Sequence, residues 1–306
     1  MNSKINLFNE FLPEERLHIT IFADETHCTE NESFTYISLL IVPTNKITTV
    51  ISLLNQIRVE TKFHHEFSFS TIKKSLNSTK FMFAERVINS LLSDKDSKNF
   101  YFNILGINRD NLDYSVFGET KKEQYTNFYN RFFRTTIKNA VKNFFPNQKI
   151  VVDNIFHDHS TTLEKHQLFY WHIIFKLDLE SENIDFNCNN VLLINSDHNK
   201  ESNYKNCSHF VQICDLLGGA LRACFNNPTE LNDARKSLAL SLLPLFKRIR
   251  DKPFNNNSSY GYYRKYNYSL FPKENLNKET HFANSQFYKN KDFKIEESIQ
   301  AFGTFD

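Results

Sequence analysis

The chain has few of the residues that interrupt or disorder a polypeptide, with 6 glycines and 7 prolines among 306 residues. It also lacks a strong charge of either sign, because 37 basic and 35 acidic side chains leave a net charge of +2. This composition argues against a linker or a disordered tail. The balanced charge excludes a protein that binds polyanions over its whole surface. Any site for a phosphate backbone must therefore be local.

Long hydrophobic runs and paired cysteines are missing as well. No apolar run approaches the roughly 18 residues of a membrane-spanning helix, and the N-terminus has no signal-peptide pattern. The 5 cysteines are an odd number without a CxxC pair. They predict free thiols in a reducing compartment, so we expect a cytoplasmic protein that makes no contact with a membrane.

Aromatic residues are abundant, with 31 Phe and 13 Tyr, in a chain long enough to bury a sizeable core. Short β-rich runs predict five strands, at residues 17–23, 34–42, 100–107, 149–152 and 191–195. Helical spacing predicts six helices, at residues 47–59, 81–92, 123–144, 162–179, 209–225 and 233–250. An antiparallel pair followed by α/β crossovers indicates an α/β fold with one mixed sheet between helices.

Two regions follow from this pattern. Residues 1–250 form the predicted α/β domain, with a helical insert after the second strand. Residues 251–306 are rich in Tyr, Asn and Lys. This extension either lies on the surface of the domain or binds a partner, and its mixture of Tyr with basic residues could also stack on bases.

Acidic residues follow the predicted strands. Asp24 with Glu25, then Asp153, and then Asp197 each lie just past the carboxyl end of a strand, where open α/β sheets bind ligands. Neighbouring strands are about 4.8 Å apart, so Asp24 and Asp153 lie together if the first and fourth strands are adjacent. Two such carboxylates repel each other unless they are protonated or bridged by a cation.

A further acid, Asp215, interrupts the amphipathic stretch CSHFVQICDLLGGAL. Gly218 and Gly219 follow it inside the predicted helix, where each costs about 1 kcal/mol relative to alanine, and they would let the helix backbone approach a strand or a substrate. Three or four converging carboxylates suit Mg²⁺ or Mn²⁺. Two such ions about 4 Å apart support phosphodiester hydrolysis. A salt bridge from Asp215 to Arg222 or another base is the alternative.

Other polar residues stay open between two interpretations. Asp197 and Glu201 are either supplementary ligands or parts of a solvated loop. The triplet His157-Asp158-His159 could supply a general base or a metal ligand, or form an ordinary polar loop. His209, near a helix start, is either functional or a surface residue. Basic residues of the 123–144 and 233–250 helices either flank a phosphate backbone or form solvated faces.

Four stretches carry a resemblance to a known family. FADET, HHEFSFS, VVDN, and SDHNKES leading into HFVQICDLLGGAL resemble the family called "domain of unknown function 3800", a branch of the ribonuclease H-like superfamily, over residues 17–225. The hallmarks are the Asp24-Glu25 pair and the Gln-x-x-Asp-Leu motif at 212–216. The resemblance implies five strands in the order 3-2-1-4-5 and metal-binding acids at Asp24, Asp153 and Asp215. It leaves the role of Glu66 open.

These observations predict a Mg²⁺- or Mn²⁺-dependent nuclease. Asp24, Asp153 and Asp215 would bind metal, Glu25 and Asp197 would be auxiliary acids, and cleavage would leave a 3′-hydroxyl and a 5′-phosphate. RNA, DNA or a hybrid could be the substrate, and homodimerisation stays open. The resemblance also suggests a role in phage defence. The alternatives are a non-catalytic nucleic-acid-binding or scaffold protein and a metal-dependent phosphohydrolase for small substrates.

Overall fold

The protein is a mixed α/β structure, seen here in a computed structural model that describes residues 16–26, 32, 34–93, 99–110, 112–146, 148–159, 174, 177, 183–226, 231–250 and 265–271. In chain order its elements are β1 (Arg16–Thr26), β2 (Phe34–Pro43), α1 (Ile47–Thr61), α2 (Thr79–Leu92), β3 (Tyr101–Asn108), α3 (Lys121–Phe144), β4 (Lys149–Asp158), β5 (Ile184–Phe186), β6 (Val191–Ile194), α4 (Lys205–Asn226), α5 (Asp233–Arg250) and β7 (Tyr266–Phe271). The helix predicted at 162–179 lies outside the described residues except at Ile174 and Leu177, which are helical.

One mixed sheet organises these elements. Its seven strands run in the order β5-β4-β1-β2-β3-β7, and β6 also pairs with β4. The neighbours β3, β2 and β1 are antiparallel, whereas β4 lies parallel to β1. The prediction of a five-stranded sheet in the order 3-2-1-4-5 was therefore wrong in its number of strands and in its complete strand order. It lacked β5, which has only three residues, and β7, which lies in the predicted extension.

Strands β5 and β6 pair with different parts of β4. β5 pairs with Ile150–Val152 and β6 pairs with Ile155–Asp158, both in parallel. The strand predicted at 191–195 is β6, and it neighbours β4 as expected. On the opposite edge β7 runs parallel to β3, and the Phe102 amide donates to the Lys265 carbonyl at 2.7 Å. This part of the 251–306 extension belongs to the sheet.

The sheet separates two apolar layers because side chains alternate along each strand. On β1, Ile19, Ile21 and Ala23 pack in the layer that contains α3, whereas Phe22 packs in the layer that contains α1, α2, α4 and α5. Every residue of β2 is buried, as expected for a strand covered on both faces. No described helix is long and apolar enough to cross a membrane. Cys188, Cys207 and Cys214 are free thiols, and Cys224 Sγ donates to the Ala239 carbonyl at 3.4 Å. Cys28 lies outside the described residues.

The glycine pair of α4 explains how closely this helix approaches its neighbours. A Cβ atom at Gly218 would lie 2.5 Å from the hydroxyl oxygens of Ser38 and Thr26. A Cβ atom at Gly219 would lie 2.6 Å from the ring of Phe69. The prediction that these glycines permit a close backbone approach is confirmed. They place the middle of α4 between the sheet and the segment before α2, one turn after Asp215.

Candidate active site

Two acids lie side by side near the ends of the parallel strands β1 and β4. The last pair in their register is Ala23 with His157, so Asp24 and Asp158 are the next residues on neighbouring strands. Because side chains alternate along a strand, both acids lie on the α4 side of the sheet. The rings that precede them by two residues confirm this side, since Phe22 and Phe156 stack at 5.5 Å and belong to the α4 layer.

Asp215 brings a third carboxyl to this place from α4. Its Oδ2 accepts a 2.6 Å hydrogen bond from the Phe69 amide, and its side chain is also hydrogen-bonded to Ser68. The α4 helix packs directly on β1 through Phe210, whose ring stacks on Phe22 at 4.3 Å. Three elements that are distant in sequence therefore present one carboxyl each to the same side of the sheet.

The three carboxyls disturb one another electrostatically. Burial, then the charges of Asp215 and Asp158, raise the pKa of Asp24 well above its ordinary value, and Asp24 is only 8% exposed. Burial raises the pKa of Asp158 to about 6, and repulsion from Asp215 and Glu66 adds to this shift. Burial also raises the pKa of Asp215, despite the hydrogen bond from Phe69. Such a surplus of negative charge favours a proton or a cation at the site.

Glu66 adds a fourth carboxyl, which sequence reasoning left without a role. Ser196 Oγ donates to Glu66 Oε1 at 2.9 Å and is also hydrogen-bonded to Asp158. A hydroxyl carries one hydrogen, so it can donate to only one of these two carboxylates at a time. When Glu66 and Asp158 are both ionised, the carboxylate that does not receive this hydrogen must be neutralised by another group. The alternation in HHEFSFS was the usable signal, because Phe67 and Phe69 are buried and leave Glu66 and Ser68 on the other side.

Gln212 holds the Glu66 segment and the Ser196 loop against α4. Its side-chain oxygen accepts from the Phe67 amide at 3.2 Å and from Arg58 Nη2 at 2.7 Å, and its Nε2 donates to the Ser196 carbonyl at 2.5 Å. Positions 212 and 215 lie on the same helix face. The two side chains of the Gln-x-x-Asp motif therefore accept hydrogen bonds from two backbone amides, those of residues 67 and 69, of one segment.

Asp153 does not join this cluster, and the expected proximity of Asp24 and Asp153 was wrong. β4 continues for five more positions after Asp153, and the β1–β4 register shifts beside it. At about 3.3 Å per residue these positions place Asp153 roughly 16 Å from Asp158. Its carboxylate accepts from Thr44 at 2.7 Å and Asn187 at 2.8 Å, and lies 2.9 Å from His18 Nδ1. These hydrogen bonds outweigh burial and lower the pKa of Asp153.

The two predicted auxiliary acids also make other contacts. Glu25 follows Asp24 directly, so it faces the α3 side of the sheet, where Tyr125 Oη donates to Glu25 Oε2 at 2.6 Å. Asp197 forms a 3.0 Å ion pair with Lys200 and accepts from the Asn199 amide. These bonds outweigh its burial and lower the pKa of Asp197. The structure therefore brings Asp24 and Asp215 together without either Glu25 or Asp197.

The remaining predicted positions have structural contacts. Glu201 accepts from the backbone amides of Asn195, at 2.9 Å, and Asn203, at 3.0 Å, which orders the loop before α4. His157 faces α3 and contacts Tyr129 Oη. His209 is buried rather than on the surface, and burial together with Arg58 lowers its pKa to about 3.

Arg222 does not pair with Asp215 as the alternative interpretation required. Its Nε donates to Glu32 Oε2 at 2.7 Å. Among the described residues, no group of three or more His, Cys, Asp and Glu side chains is arranged so that it could hold a metal ion as it stands. The carboxyls of residues 24, 158 and 215 would have to turn towards one another to share one ion.

Comparisons with known proteins give little further information. No protein-family model and no curated protein sequence matches the chain. Among solved structures, the chain is similar to the structure of the PCNA:RNase HII complex from Archaeoglobus fulgidus. The two are 9% identical with a TM-score of 0.32, over 76% of this chain and 90% of that chain. A likeness at this TM-score carries no argument about fold family or activity.

Proposed function

We propose that this protein is a metal-dependent nuclease of ribonuclease H-like architecture, with Asp24, Asp158 and Asp215 as its metal-binding acids. One observation supports the proposal above the others. Burial raises the pKa of the carboxyls on β1, β4 and α4; the charges of Asp215 and Asp158 add to the rise at Asp24, and the charge of Asp215 adds to the rise at Asp158. In this proposal Asp158 takes the role that the resemblance implied for Asp153. A protein does not retain such repulsion for stability, because burying unpaired charges costs free energy.

The chemistry of the donor set suits the proposed ion. All the donors are carboxylate oxygens, which Mg²⁺ and Mn²⁺ prefer, and a divalent cation would neutralise the surplus charge. Asp24, Asp158 and Asp215 would hold the ion, and Glu66 could support a second ion. When bound, such ions activate water and stabilise the leaving oxygen in phosphodiester hydrolysis.

The protein's own groups position the acids for this role. The Phe69 amide fixes Asp215, and the Glu25 amide donates to Asp24 Oδ1 at 2.8 Å. Ser196 holds Glu66 beside Asp158. Side chains held by such bonds lose little freedom when substrate binds. Water attack at phosphorus, with departure of the 3′ oxygen, leaves a 3′-hydroxyl and a 5′-phosphate.

Cleavage of labelled RNA, DNA and hybrid duplexes in Mg²⁺, Mn²⁺ or EDTA tests the proposal. We expect metal-dependent cleavage that Asp158→Asn and Asp215→Asn each reduce by at least about 10³-fold, as for groups at a reaction centre. Asp153→Asn, on the same strand, is the matched control and should retain most of the activity in folded protein. An active Asp158→Asn protein together with an inactive, folded Asp153→Asn protein would move the site to Asp153 and overturn this assignment.

A second candidate function is a phosphohydrolase for small substrates. The balanced net charge of +2 favours it, since enzymes that bind long polyanions usually carry basic surfaces. Mononucleotides and short oligonucleotides, compared at equal concentration of phosphodiester, separate the two functions. A third outcome, nucleic-acid binding that survives EDTA without any cleavage, would favour the non-catalytic binding protein.

A further inference from the structure

Lys80 lies in the first turn of α2, beside the acidic cluster. Its ammonium donates to Thr71 Oγ1 at 2.7 Å and lies 5.7 Å from the centroid of the Phe63 ring. The side chain is half-buried, so its stem is packed while its charge stays near the surface. An ammonium has three hydrogens, and the Thr71 bond uses only one of them.

The charge of Lys80 acts on the carboxyls of the site. It interacts favourably with Glu66 and Asp215, and it opposes part of the rise that burial causes in the pKa of Asp215. Within the described part of the chain, however, no carboxylate forms an ion pair with Lys80. The ammonium is therefore near the acids and still has hydrogens that an arriving anion could bind.

One turn of the chain positions Lys80 and Asp215 together. Thr71 Oγ1, which accepts from Lys80, donates to the Ser68 carbonyl at 2.9 Å. Ser68 is hydrogen-bonded to Asp215, and the next residue, Phe69, donates its amide to the same carboxyl. A movement of the 68–71 turn would displace the cation and the carboxyl at once, so their spacing is fixed.

A second lysine extends the positive charge outward. Burial lowers the pKa of Lys80, and the charge of the exposed Lys73 lowers it further. The two positive charges of Lys73 and Lys80 repel each other, and a bound anion would reduce this repulsion. Four carboxyls alone would repel a phosphodiester, whereas a bordering lysine attracts its nonbridging oxygens. The arrangement of acids beside lysines fits a phosphate chain better than a single phosphate group.

We propose that Lys80 binds a nonbridging oxygen of the scissile phosphate and that Lys73 binds a neighbouring phosphate of the same strand. The inference rests on the proposed nuclease function and deepens it, because it names a polynucleotide as the substrate. Lys80 would then be a catalytic residue that contacts substrate, and Lys73 a residue that contributes to binding affinity.

Glutamine substitutions test the two lysines separately. Lys80→Gln keeps a donor for Thr71 and removes the charge, so a merely structural Lys80 would tolerate it. We expect kcat/KM for an oligonucleotide to fall about 10²-fold, mainly through kcat. Lys73→Gln should weaken binding and make the slope of log K against log salt shallower by roughly 0.7 to 0.9, as for one lost phosphate contact. Lys46→Gln, on an exposed lysine near Thr44 and Asp153, is the matched control and should change neither.

The outcomes separate this inference from the proposed function. If the wild-type protein cleaves and Lys80→Gln behaves like Lys46→Gln, the role of Lys80 is overturned while the nuclease stands. If the wild-type protein cleaves nothing with any metal, the nuclease fails, and the affinity of a fluorescent oligonucleotide then decides about the lysines. Unchanged affinity and salt slope in both variants would overturn the inference. If Lys80→Gln loses as much activity on mononucleotides as on oligonucleotides, and Lys73→Gln has no effect, the assignment of a polynucleotide substrate is overturned.

Discussion

Arg58 donates through Nη2 to the side-chain oxygen of Gln212 at 2.7 Å, in the interior of the protein. Arg58 is 4% exposed, and among the described residues no carboxylate forms an ion pair with it. A second guanidinium nitrogen, Nη1, donates to the carbonyls of Phe63, at 3.3 Å, and His65, at 2.9 Å. Burial lowers the pKa of Arg58 to about 10. Neutral acceptors therefore solvate this cation, and they fix the segment that carries Glu66 to α4.

Gln212→Ala should destabilise the protein strongly. The substitution removes the acceptor of the Phe67 amide and the nearest acceptor of Arg58 Nη2, and each buried group left unsatisfied costs about 1 to 3 kcal/mol. We expect the free energy of unfolding, measured by urea titration, to fall by about 2 to 4 kcal/mol. Gln56→Ala is the matched control, because Gln56 donates to Glu60 on the exposed face of α1, and this substitution should change stability by less than about 0.5 kcal/mol. Equal stabilities of the two variants would contradict this role of Gln212.

His209 should make the fold sensitive to acid. Its folded pKa is about 3, below the ordinary 6.5, because of burial first and then the charge of Arg58. The unfolded chain therefore takes up a proton first as the pH falls. Stability is complete above about pH 6.5 and declines towards pH 3 by up to about 1.4 kcal/mol per pH unit. Urea titrations between pH 8 and 4 should show a shallower decline in His209→Gln, and an unchanged decline would contradict the prediction.

The sequence identified two of the three clustered aspartates and misplaced the third. Asp24 follows an apolar strand and Asp215 interrupts an apolar helix face, so local patterns were sufficient for both. Asp153 with Asn154 resembles the start of a loop, yet the strand continues to Asp158. Strand length depends here on pairing with β1 and β6, which no local pattern records. Glu66 joins the site only through contacts with distant residues.

The sheet shows the same division between local and tertiary information. The strands β1, β2 and β3 are long and apolar, and their predicted order is the one observed. β5 has three residues, too few for a periodic pattern. β7 contains Tyr, Asn and Ser, and its composition resembles the rest of the 251–306 extension. Its place beside β3 depends on backbone pairing rather than on its side chains.

The two glycines of α4 should respond differently to alanine. In a free helix each substitution would stabilise by about 1 kcal/mol, but here the new Cβ atoms meet neighbours at 2.5 to 2.6 Å. Gly218→Ala presses on the Ser38 and Thr26 side chains of the sheet, and we expect a loss of about 1 to 3 kcal/mol in unfolding free energy. Gly219→Ala presses on Phe69, whose amide holds Asp215.

We therefore expect Gly219→Ala to lower the rate of cleavage more than Gly218→Ala does, when both proteins are folded. Thermal unfolding measures the effect on stability, and metal-dependent cleavage at 25 °C measures the effect on the site. Equal rates of cleavage in two folded variants would show that the Phe69 amide does not position Asp215 for function.

Removal of one carboxylate from the cluster should stabilise the protein in EDTA. At pH 8 Asp158 is ionised, and its burial first, then repulsion from Asp215 and Glu66, disfavour the folded state. Asp158→Asn removes this repulsion and should raise the Tm in EDTA, although it abolishes the proposed activity. Asp153→Asn should lower the Tm, because the Asp153 carboxylate accepts stabilising hydrogen bonds from Thr44 and Asn187.

Addition of metal should reverse the order of the Tm values of the wild-type protein and Asp158→Asn. An ion that binds only the folded protein stabilises it by mass action, so Mg²⁺ or Mn²⁺ should raise the Tm of the wild-type protein in a concentration-dependent manner. The rise should persist in Asp153→Asn and become much smaller in Asp158→Asn, because only the latter loses a proposed ligand. Differential scanning calorimetry with stepwise addition of metal measures both effects. An equal rise in the two variants would place the ion elsewhere and remove Asp158 from the proposed site.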